Sequence, residues 1–287
     1  MKIYDRHKKL YIDTEQYGQG ILQFLYDNPF GRFLLKLAVS PIVSKLYGYY
    51  NSLAVSKKKI PDFIKKYNIN MDDFKPCEYS CFNDFFTREL KTNARPISTE
   101  PNILISPADS KILLYQIGDD LKISIKNSIY TLDELVGSQI DTSSFKNGIC
   151  LVFRLCMDDY HRYCFVDNGI LNKQFFIPGK LHTVSSLSKD YKIYKENSRN
   201  VSVCQTENFG EIFQIEVGAL LVGGIKNKNV DSFTKGTEKG YFEPGGSTVV
   251  ILIKDGVVQI DSDITAQSQK GIETIVKYGE RIGRKIP

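Results

Sequence analysis

The chain has 287 residues, of which 42% are hydrophobic, and its formal net charge at pH 7 is +5. This composition excludes an intrinsically disordered protein, and the length allows one large domain or two unequal ones. The longest apolar stretch, Phe33 to Val43, is interrupted by Lys36 and Pro41 and is too short to cross a bilayer. We also find no secretory signal pattern, so we expect the protein to stay on the cytoplasmic side.

The N-terminal quarter is basic and rich in apolar residues. Residues 1–75 carry 13 Lys and Arg against 7 Asp and Glu. The apolar runs 21–26, 33–37 and 46–50 alternate there with Arg32, Lys36, Lys45 and Lys57 to Lys59. One interpretation is an amphipathic helix that packs on the core. The other is a segment in the interface of an anionic membrane, where each Lys or Arg contributes about 1 kcal/mol. We predict no nucleic-acid partner.

The first hundred residues have the pattern of helices. Pro61 suits the first turn of a helix that continues to Tyr67. Ser80 is a possible cap for a second helix that runs from Phe82 to Leu90 and ends before Ala94-Arg95-Pro96.

The remaining residues are typical of strands. Short apolar runs rich in β-branched residues are bounded by polar or turn residues at 103–105, 111–115, 121–125, 149–155, 211–217, 249–253 and 256–260. The last two are joined through an Asp-Gly turn signal at Asp255-Gly256. The sequence therefore predicts an α+β fold, in which a β-rich body follows an α-helical N-terminal region.

The cysteines do not indicate a disulfide framework. Their spacing is irregular, and free thiols are predicted at Cys77, Cys81, Cys150, Cys156, Cys164 and Cys204. Cys77 and Cys81 lie four residues apart without matching partners, so we predict no metal site.

The segment Tyr241 to Val250 contains Gly245-Gly246-Ser247-Thr248 directly before an apolar run. Paired glycines allow a strained turn that presents the serine hydroxyl to the carbonyl of Gly246. Attack on that carbonyl, followed by β-elimination and hydrolysis, would leave a pyruvoyl group at residue 247. An ordinary glycine hairpin that enters a buried strand has the same pattern.

Further motifs extend from about residue 80 to 285, and together they resemble the phosphatidylserine decarboxylase family in content and order. They are 85–97 (FFTRELKTNARPI), 106–109 (SPAD), 159–162 (DYHR), 217–223 (VGALLVG), 235–242 (KGTEKGYF), the Gly-Ser-Thr site and 273–283 (ETIVKYGERIG).

The resemblance implies a decarboxylase that makes its own cofactor. It implies cleavage between Gly246 and Ser247 into fragments 1–246 and 247–287, which leaves a covalent pyruvoyl group derived from Ser247. That carbonyl would condense with the amine of phosphatidylserine and accept the electrons left by carbon dioxide, and phosphatidylethanolamine would be released. A lipid substrate favours the membrane interpretation of the N-terminal quarter. We therefore expect a helical, basic, membrane-associating region at 1–98, a β-rich catalytic domain at 99–287, and peripheral attachment to the cytoplasmic face of the cell membrane.

A serine nucleophile needs a base, usually a histidine held by a carboxylate. The histidines are His7, His161 and His182, and His7 lies in the polar start of the chain. The resemblance selects Asp109 as the carboxylate and His161 as the histidine of the Tyr-His-Arg segment.

The chain departs from the family at one position of that segment. Family members commonly carry a second histidine three residues after the first, generally taken as the base for self-cleavage, and this chain has Cys164 there. An unperturbed thiol, with a pKa of about 8.5, is a poor base at neutral pH. We expect His161 to take over this role, with Cys164 and His182 as alternatives.

Two other functions fit parts of the sequence. One is a pyruvoyl-dependent decarboxylase of a soluble amino acid, which should lack the basic amphipathic start. The other is a noncatalytic β-rich binding module in which Gly-Gly-Ser-Thr is only a turn.

Overall fold

The computed structural model describes residues 2–14, 19–125, 128–182, 193–220, 222, 224–245 and 247–287. It begins with an antiparallel hairpin of β1 (Lys2–Asp5) and β2 (Leu10–Asp13). β1 also pairs in parallel with the strand Glu273–Val276, near the other end of the chain. The prediction of helix was therefore wrong for residues 2–13. β1 and β2 pair with each other, but the hairpin joins the large sheet only through β17, which is distant in sequence and gives no local signal.

Helices dominate the next part of the chain. They are α1 (Gln19–Asp27), α2 (Pro29–Ala38), α3 (Pro41–Asn51), α4 (Ile60–Tyr67) and α5 (Phe82–Phe86), with single 3₁₀ segments at Ala54–Lys59 and Met71–Asp73. α2 and α3 each have proline in the first turn and are capped by Asn28 and Ser40, whose side chains accept backbone N–H groups. We call α1 to α3, residues 19–51, the helical arm. No helix in the described part of the chain is long and apolar enough to span a membrane.

The predicted helix from Phe82 to Leu90 ends early, at Phe86. Leu90 instead forms an antiparallel bridge with Phe74. This long-range pairing requires extended backbone, so the helix cannot continue. The N-cap is Cys81, one residue after the predicted serine.

Strands are the main regular elements of the remaining chain. In chain order they are β3 (Ile103–Ile105), β4 (Ser110–Gln116), β5 (Lys122–Ile125), β6 (Ser128–Thr131), β7 (Ile149–Leu155), β8 (Arg162–Cys164), β9 (Gly169–Ile177), β10 (Arg199–Thr206), β11 (Gly210–Gly218), β12 (Ile225–Asn227), β13 (Ser232–Phe233), β14 (Glu238–Phe242), β15 (Ser247–Ile253), β16 (Val258–Ile260), β17 (Glu273–Val276) and β18 (Arg281–Lys285). Three further helices are α6 (Leu132–Val136), α7 (Ile193–Glu196) and α8 (Ser262–Gln269). Every run predicted as a strand overlaps an observed strand, and the α+β fold class is confirmed.

One ten-stranded mixed sheet organises the molecule, in the order β13-β9-β10-β11-β15-β7-β4-β17-β1-β2. β15 lies near its centre, antiparallel to β11 on one side and β7 on the other, and every residue of β15 is buried. Smaller sheets are β12-β14-β8, β16-β18-β3 and β5-β6. The predicted Asp255-Gly256 turn is present, with Gly256 at a φ of 69°, but it leads from β15 into a strand of a different sheet.

The sheet β12-β14-β8 packs on one face of the large sheet. The Cys164 carbonyl at the end of β8 accepts a hydrogen bond from Gln214 Nε2 on β11 (3.1 Å). One residue earlier on β8, the Tyr163 hydroxyl donates to Asn227, which donates to Glu216 on β11 (2.7 and 2.8 Å). The start of β8 therefore lies near the C-terminal end of β11, and the end of β8 lies nearer the middle of β11.

Candidate active site

Ser247 begins β15, near the centre of the large sheet. Its neighbours in the ladder are Gly218 on β11 and Leu155 on β7. The residue is fully buried, and its Oγ has no hydrogen-bond partner among the described residues. Burying an unpaired hydroxyl costs about 1–3 kcal/mol, so such a group in a native protein suggests a chemical role.

The turn before Ser247 requires glycine. Gly245 has a φ of 145°, in the region that disfavours side chains. A Cβ at Gly245 would lie 2.6 Å from the backbone nitrogen and Cα of Val222. The predicted tight glycine turn is therefore confirmed at this position. Gly246, the other side of the predicted cleavage point, lies outside the described residues.

His161 immediately precedes β8 and is fully buried. Its Nδ1 lies 2.9 Å from the carbonyl oxygen of Asp159, and the Phe86 ring packs on the imidazole with centroids 4.2 Å apart. A carbonyl only accepts hydrogen bonds, so Nδ1 carries the proton and Nε2 carries a lone pair. Nε2 has no partner among the described residues. Burial lowers the pKa of His161 to about 4, so the ring is neutral at pH 7.

His161 and Ser247 lie at the same end of the interface between the two sheets. Gly218 ends β11 and pairs with Ser247, and His161 is reached by following β8 back towards that end of β11. The amide of Phe242, at the end of β14, donates to the His161 carbonyl (3.0 Å), which ties His161 to the segment that leads into Ser247. Two buried polar atoms, Ser247 Oγ and His161 Nε2, therefore lie at this end of the interface, and neither has a partner among the described residues.

Asp109 directly precedes β4 and is almost completely buried. Its carboxylate accepts hydrogen bonds from Arg95 (2.8 to 3.2 Å), from the Lys277 ammonium (3.3 Å) and from the Tyr278 amide (2.8 Å). Burial by itself raises the pKa of this carboxyl, but Lys277, Arg95 and the amide outweigh it, and the pKa is lowered. Asp109 is therefore ionised at neutral pH and surrounded by donors.

The described structure does not place Asp109 on His161, because the imidazole bonds to the Asp159 carbonyl instead. Asp109 and Cys164 share Tyr278 as a neighbour. Tyr278, whose amide binds Asp109, also interacts with the Cys164 thiol through its side chain.

The Cys164 thiol is fully buried, 3.9 Å from the carbonyl oxygen of Ser106. Burial raises the pKa of Cys164 to about 12. The thiol is therefore protonated at neutral pH, which makes it unsuitable as a base.

His182 lies on the other side of β11. Its backbone N–H and carbonyl are both held by the Asn197 side chain, which also donates to the Gly218 carbonyl (2.8 Å). The His182 ring is turned towards the helical arm, with Nδ1 3.3 Å from the Tyr26 hydroxyl. The structure therefore brings His182 close to the strand that pairs with Ser247, while its imidazole contacts the arm.

Several residues of this region were not assigned by the sequence analysis. Arg95 and Lys277 lie in the family motifs, so their presence was visible, but nothing local indicated that both bind Asp109. Phe86 also lies in a family motif, but nothing in the sequence indicated that its ring packs on His161. Asn197 carried no signal, because an isolated asparagine before a strand has many possible roles.

Comparison with known proteins covers the whole chain. The family model described as phosphatidylserine decarboxylase matches residues 82–284. A protein of Clostridium acetobutylicum named phosphatidylserine decarboxylase proenzyme 2 is 51% identical over 283 residues, which cover 98% of this chain and 97% of the relative. Proteins named phosphatidylserine decarboxylase proenzyme are 41% identical in Clostridium botulinum strain Langeland, covering 99% of each chain, and in Clostridium tetani, covering 100% of this chain and 99% of the relative. This chain belongs to the phosphatidylserine decarboxylase family.

Proposed function

We propose that this protein converts phosphatidylserine to phosphatidylethanolamine with a pyruvoyl group made from its own Ser247. One observation carries the proposal: Ser247 Oγ and His161 Nε2 are buried, have no partner among the described residues and belong to the same end of the sheet interface. Their chemistry fits a serine whose hydroxyl is consumed in a reaction. The word proenzyme in the relatives' names supports self-processing.

Self-cleavage starts with attack of Ser247 Oγ on the carbonyl carbon of Gly246. The peptide C–N bond breaks as the ester C–O bond forms, and the proton lost by the hydroxyl passes to the Ser247 nitrogen. Removal of the Ser247 α-proton then expels the Gly246 carboxylate by β-elimination. Hydrolysis of the resulting dehydroalanine releases ammonia and leaves the pyruvoyl group.

His161 is the proposed base for the first step. Its Nδ1–H is fixed on the Asp159 carbonyl, so the lone pair on Nε2 is free to accept the serine proton. The low pKa keeps the ring neutral but makes it a weak base. We therefore expect His161 to pass the proton to the departing nitrogen rather than to retain it.

When present, the pyruvoyl carbonyl accepts the electrons that remain as carbon dioxide leaves the substrate. The residues of the chain supply the other functions. His161 delivers a proton to the product carbon. Asp109 acts by position: it holds Arg95, Lys277 and the Tyr278 amide in place beside β8.

The two fragments, 1–246 and 247–287, are proposed to remain associated after cleavage. The shorter one contains β15, which is buried and paired on both sides with strands of the longer one. It also contains β17, which pairs with β1 and β4. Separation would break the sheet in two places.

An anionic membrane surface is the proposed partner of the helical arm. Large apolar side chains on α2 and α3 are 59–69% exposed, and they are Phe30, Phe33, Leu37, Ile42, Leu46 and Tyr49. The buried residues of the same helices are mostly small or polar and include Gly31, Ser44, Gly48 and Asn51. Helices that place aromatic residues outside and small residues inside fit an apolar medium, and the nearby Lys36 and Lys45 fit anionic lipids.

The arm adjoins the strand that pairs with Ser247. The Val39 carbonyl accepts a hydrogen bond from the Leu181 amide (3.0 Å), and Tyr26, Leu35 and Val39 pack with Leu220, just after β11. A lipid head group at the arm surface would therefore be close to the site. Division into a membrane-associating region 1–98 and a catalytic domain 99–287, attached to the cytoplasmic face, completes the proposal.

Two measurements test this function against the alternatives. Denaturing electrophoresis and intact-mass analysis of the purified protein should show fragments that meet between Gly246 and Ser247. A single uncleaved chain under all conditions would favour a binding module. Carbon dioxide release is then measured with phosphatidylserine in vesicles and with free serine as substrates. Release from serine alone would favour a decarboxylase of soluble amino acids.

A further inference from the structure

Arg88 is a buried cation for which the described residues supply no counterion. Its side chain lies between the Phe74 and Phe85 rings, with the guanidinium carbon 4.1 and 4.8 Å from the centroids, and the residue is only 4% exposed. It donates one long hydrogen bond, from Nη1 to the Phe85 carbonyl (3.3 Å). Nε is buried and has no partner among the described residues. No carboxylate in the described part of the chain lies within salt-bridge distance of Arg88.

Arg199 shows how this protein satisfies a purely structural buried arginine. It is also 4% exposed, and burial lowers the pKa of both arginines to about 10. The Arg199 guanidinium donates hydrogen bonds of 2.7 to 3.0 Å to four carbonyls, those of Glu134, Leu135, Lys195 and Asn197. Arg88 lacks a comparable set of carbonyl acceptors among the described residues, so its remaining N–H donors are available to a ligand. Leaving a buried charge unpaired is costly unless something binds it.

The position of Arg88 connects it with the active site. Phe86, two residues earlier, packs on the His161 ring, and the Thr87 carbonyl accepts hydrogen bonds from Arg162 at the start of β8 (2.9 and 2.7 Å). The segment that carries Arg88 is therefore fixed against the segment that carries His161. After burial, the charge of Arg88 is among the effects that lower the pKa of His161.

We propose that Arg88 binds the phosphodiester of the phospholipid head group while the amine reacts at residue 247. This inference rests on the proposed function. The head group has two anionic parts, a carboxylate and a phosphodiester, and guanidinium groups bind both. A cation on the departing carboxylate would stabilise the ground state more than the transition state, in which that charge is lost. The phosphodiester keeps its charge throughout, so binding it orients the substrate without opposing the loss of carbon dioxide.

The first test compares processed wild-type enzyme with Arg88→Met, which keeps length and apolar contact but removes the charge and the donors. Self-cleavage should be retained, because serine attack does not use Arg88. The KM for phosphatidylserine should rise about tenfold to hundredfold, the range expected for a lost charged hydrogen bond. Arg88→Lys, which restores the charge, should recover part of the loss. A KM within about twofold of wild type in Arg88→Met would overturn the proposal.

The second test measures binding without catalysis. The Ser247→Ala chain, which is expected to remain uncleaved, is titrated with glycerophosphoethanolamine, which has the phosphodiester but no carboxylate, and with serine, which has the reverse. We expect binding of the first to depend on Arg88. If only the binding of serine depended on Arg88, Arg88 would be a carboxylate site, and the phosphodiester assignment would be overturned.

Arg199→Lys serves as the matched control. It should lower the unfolding temperature and leave the KM unchanged, whereas Arg88→Met should not lower the unfolding temperature, since it removes an unpaired buried charge. A large fall in the unfolding temperature of Arg88→Met with unchanged ligand binding would mean that Arg88 is structural. Failure of wild-type protein to cleave or to decarboxylate phosphatidylserine would instead refute the proposed function itself.

Discussion

The β-rich body and the helical arm bury opposite kinds of residue. In the body, the seven residues of β15 are all buried, and five of them form the apolar run Val249 to Ile253. In α2 and α3 of the arm, most large apolar residues face outwards, while Gly31, Ser44 and Gly48 face inwards together with Leu35. The Cβ that a side chain would add at Gly31 would lie 2.0 Å from the Phe24 carbonyl oxygen, so glycine is required where α1 and α2 meet.

This contrast indicates two different sources of stability. The body satisfies the hydrophobic effect internally, as a water-soluble domain does. The arm leaves apolar surface exposed, which is favourable only when another apolar phase covers it. Chemistry in the body and lipid contact in the arm should therefore be separable by mutation.

The largest expected effect is in the body, at Ser247. Ser247→Ala removes the attacking hydroxyl, so we expect one uncleaved polypeptide without decarboxylase activity and with unchanged vesicle binding. Intact-mass analysis and vesicle sedimentation check both halves of this prediction. Ser247→Cys and Ser247→Thr, which keep a nucleophilic atom, should cleave slowly. Cleavage at the same bond in Ser247→Ala would contradict the mechanism.

The histidines give the next largest effect. His161→Ala should slow self-cleavage by about 10²–10⁴-fold, the usual contribution of a general base. Cys164→Ser should process normally, because the buried thiol is protonated at neutral pH. His182→Ala should also process normally, since its ring contacts Tyr26 of the arm. A time course of fragment appearance compares the three, and rapid cleavage by His161→Ala would exclude it as the base.

The buried imidazole also predicts a pH dependence of folding. The pKa of His161 is about 4 in the folded state, whereas an unfolded histidine has a pKa of about 6.5. The unfolded chain binds the proton more readily between these values, so this contribution to stability is complete above about pH 6.5 and is lost as the pH falls through 4. The loss is on the order of 3 kcal/mol. The free energy of unfolding of the Ser247→Ala chain is measured with denaturant from pH 7 to 4, with and without His161→Gln. The same dependence of this free energy on pH in both proteins would refute the prediction.

A smaller effect is expected from the surface of the arm. Replacing Phe30, Phe33 and Leu37 by serine should weaken binding to anionic vesicles by about 30- to 100-fold, because partly exposed apolar side chains lose their transfer into lipid. The unfolding temperature should not fall, because these side chains already face water. Leu35→Ser on the inner side of α2 is the matched control, and it should destabilise packing against the body. Unchanged vesicle binding by the triple variant would assign the arm surface to another partner.

The sequence by itself determined the features that depend on local pattern. Apolar β-branched runs located β7 and β15, and Pro61 in a first helical turn located α4. The order of the motifs was enough to identify the family and to select Ser247, His161 and Asp109 as candidates. These inferences succeed because a strand, a cap or a motif is encoded within a few neighbouring residues.

Tertiary structure alone decided which distant residues meet. The pairing of β1 with β17, the early end of α5 at Phe86 and the binding of Asp109 to Arg95 and Lys277 all join segments far apart in the chain. The absence of a described counterion for Arg88 belongs to the same class, because a missing partner is recognised only when the surroundings are known. Local propensity fixes which elements form, whereas burial and hydrogen-bond satisfaction across the sheets fix how their side chains combine.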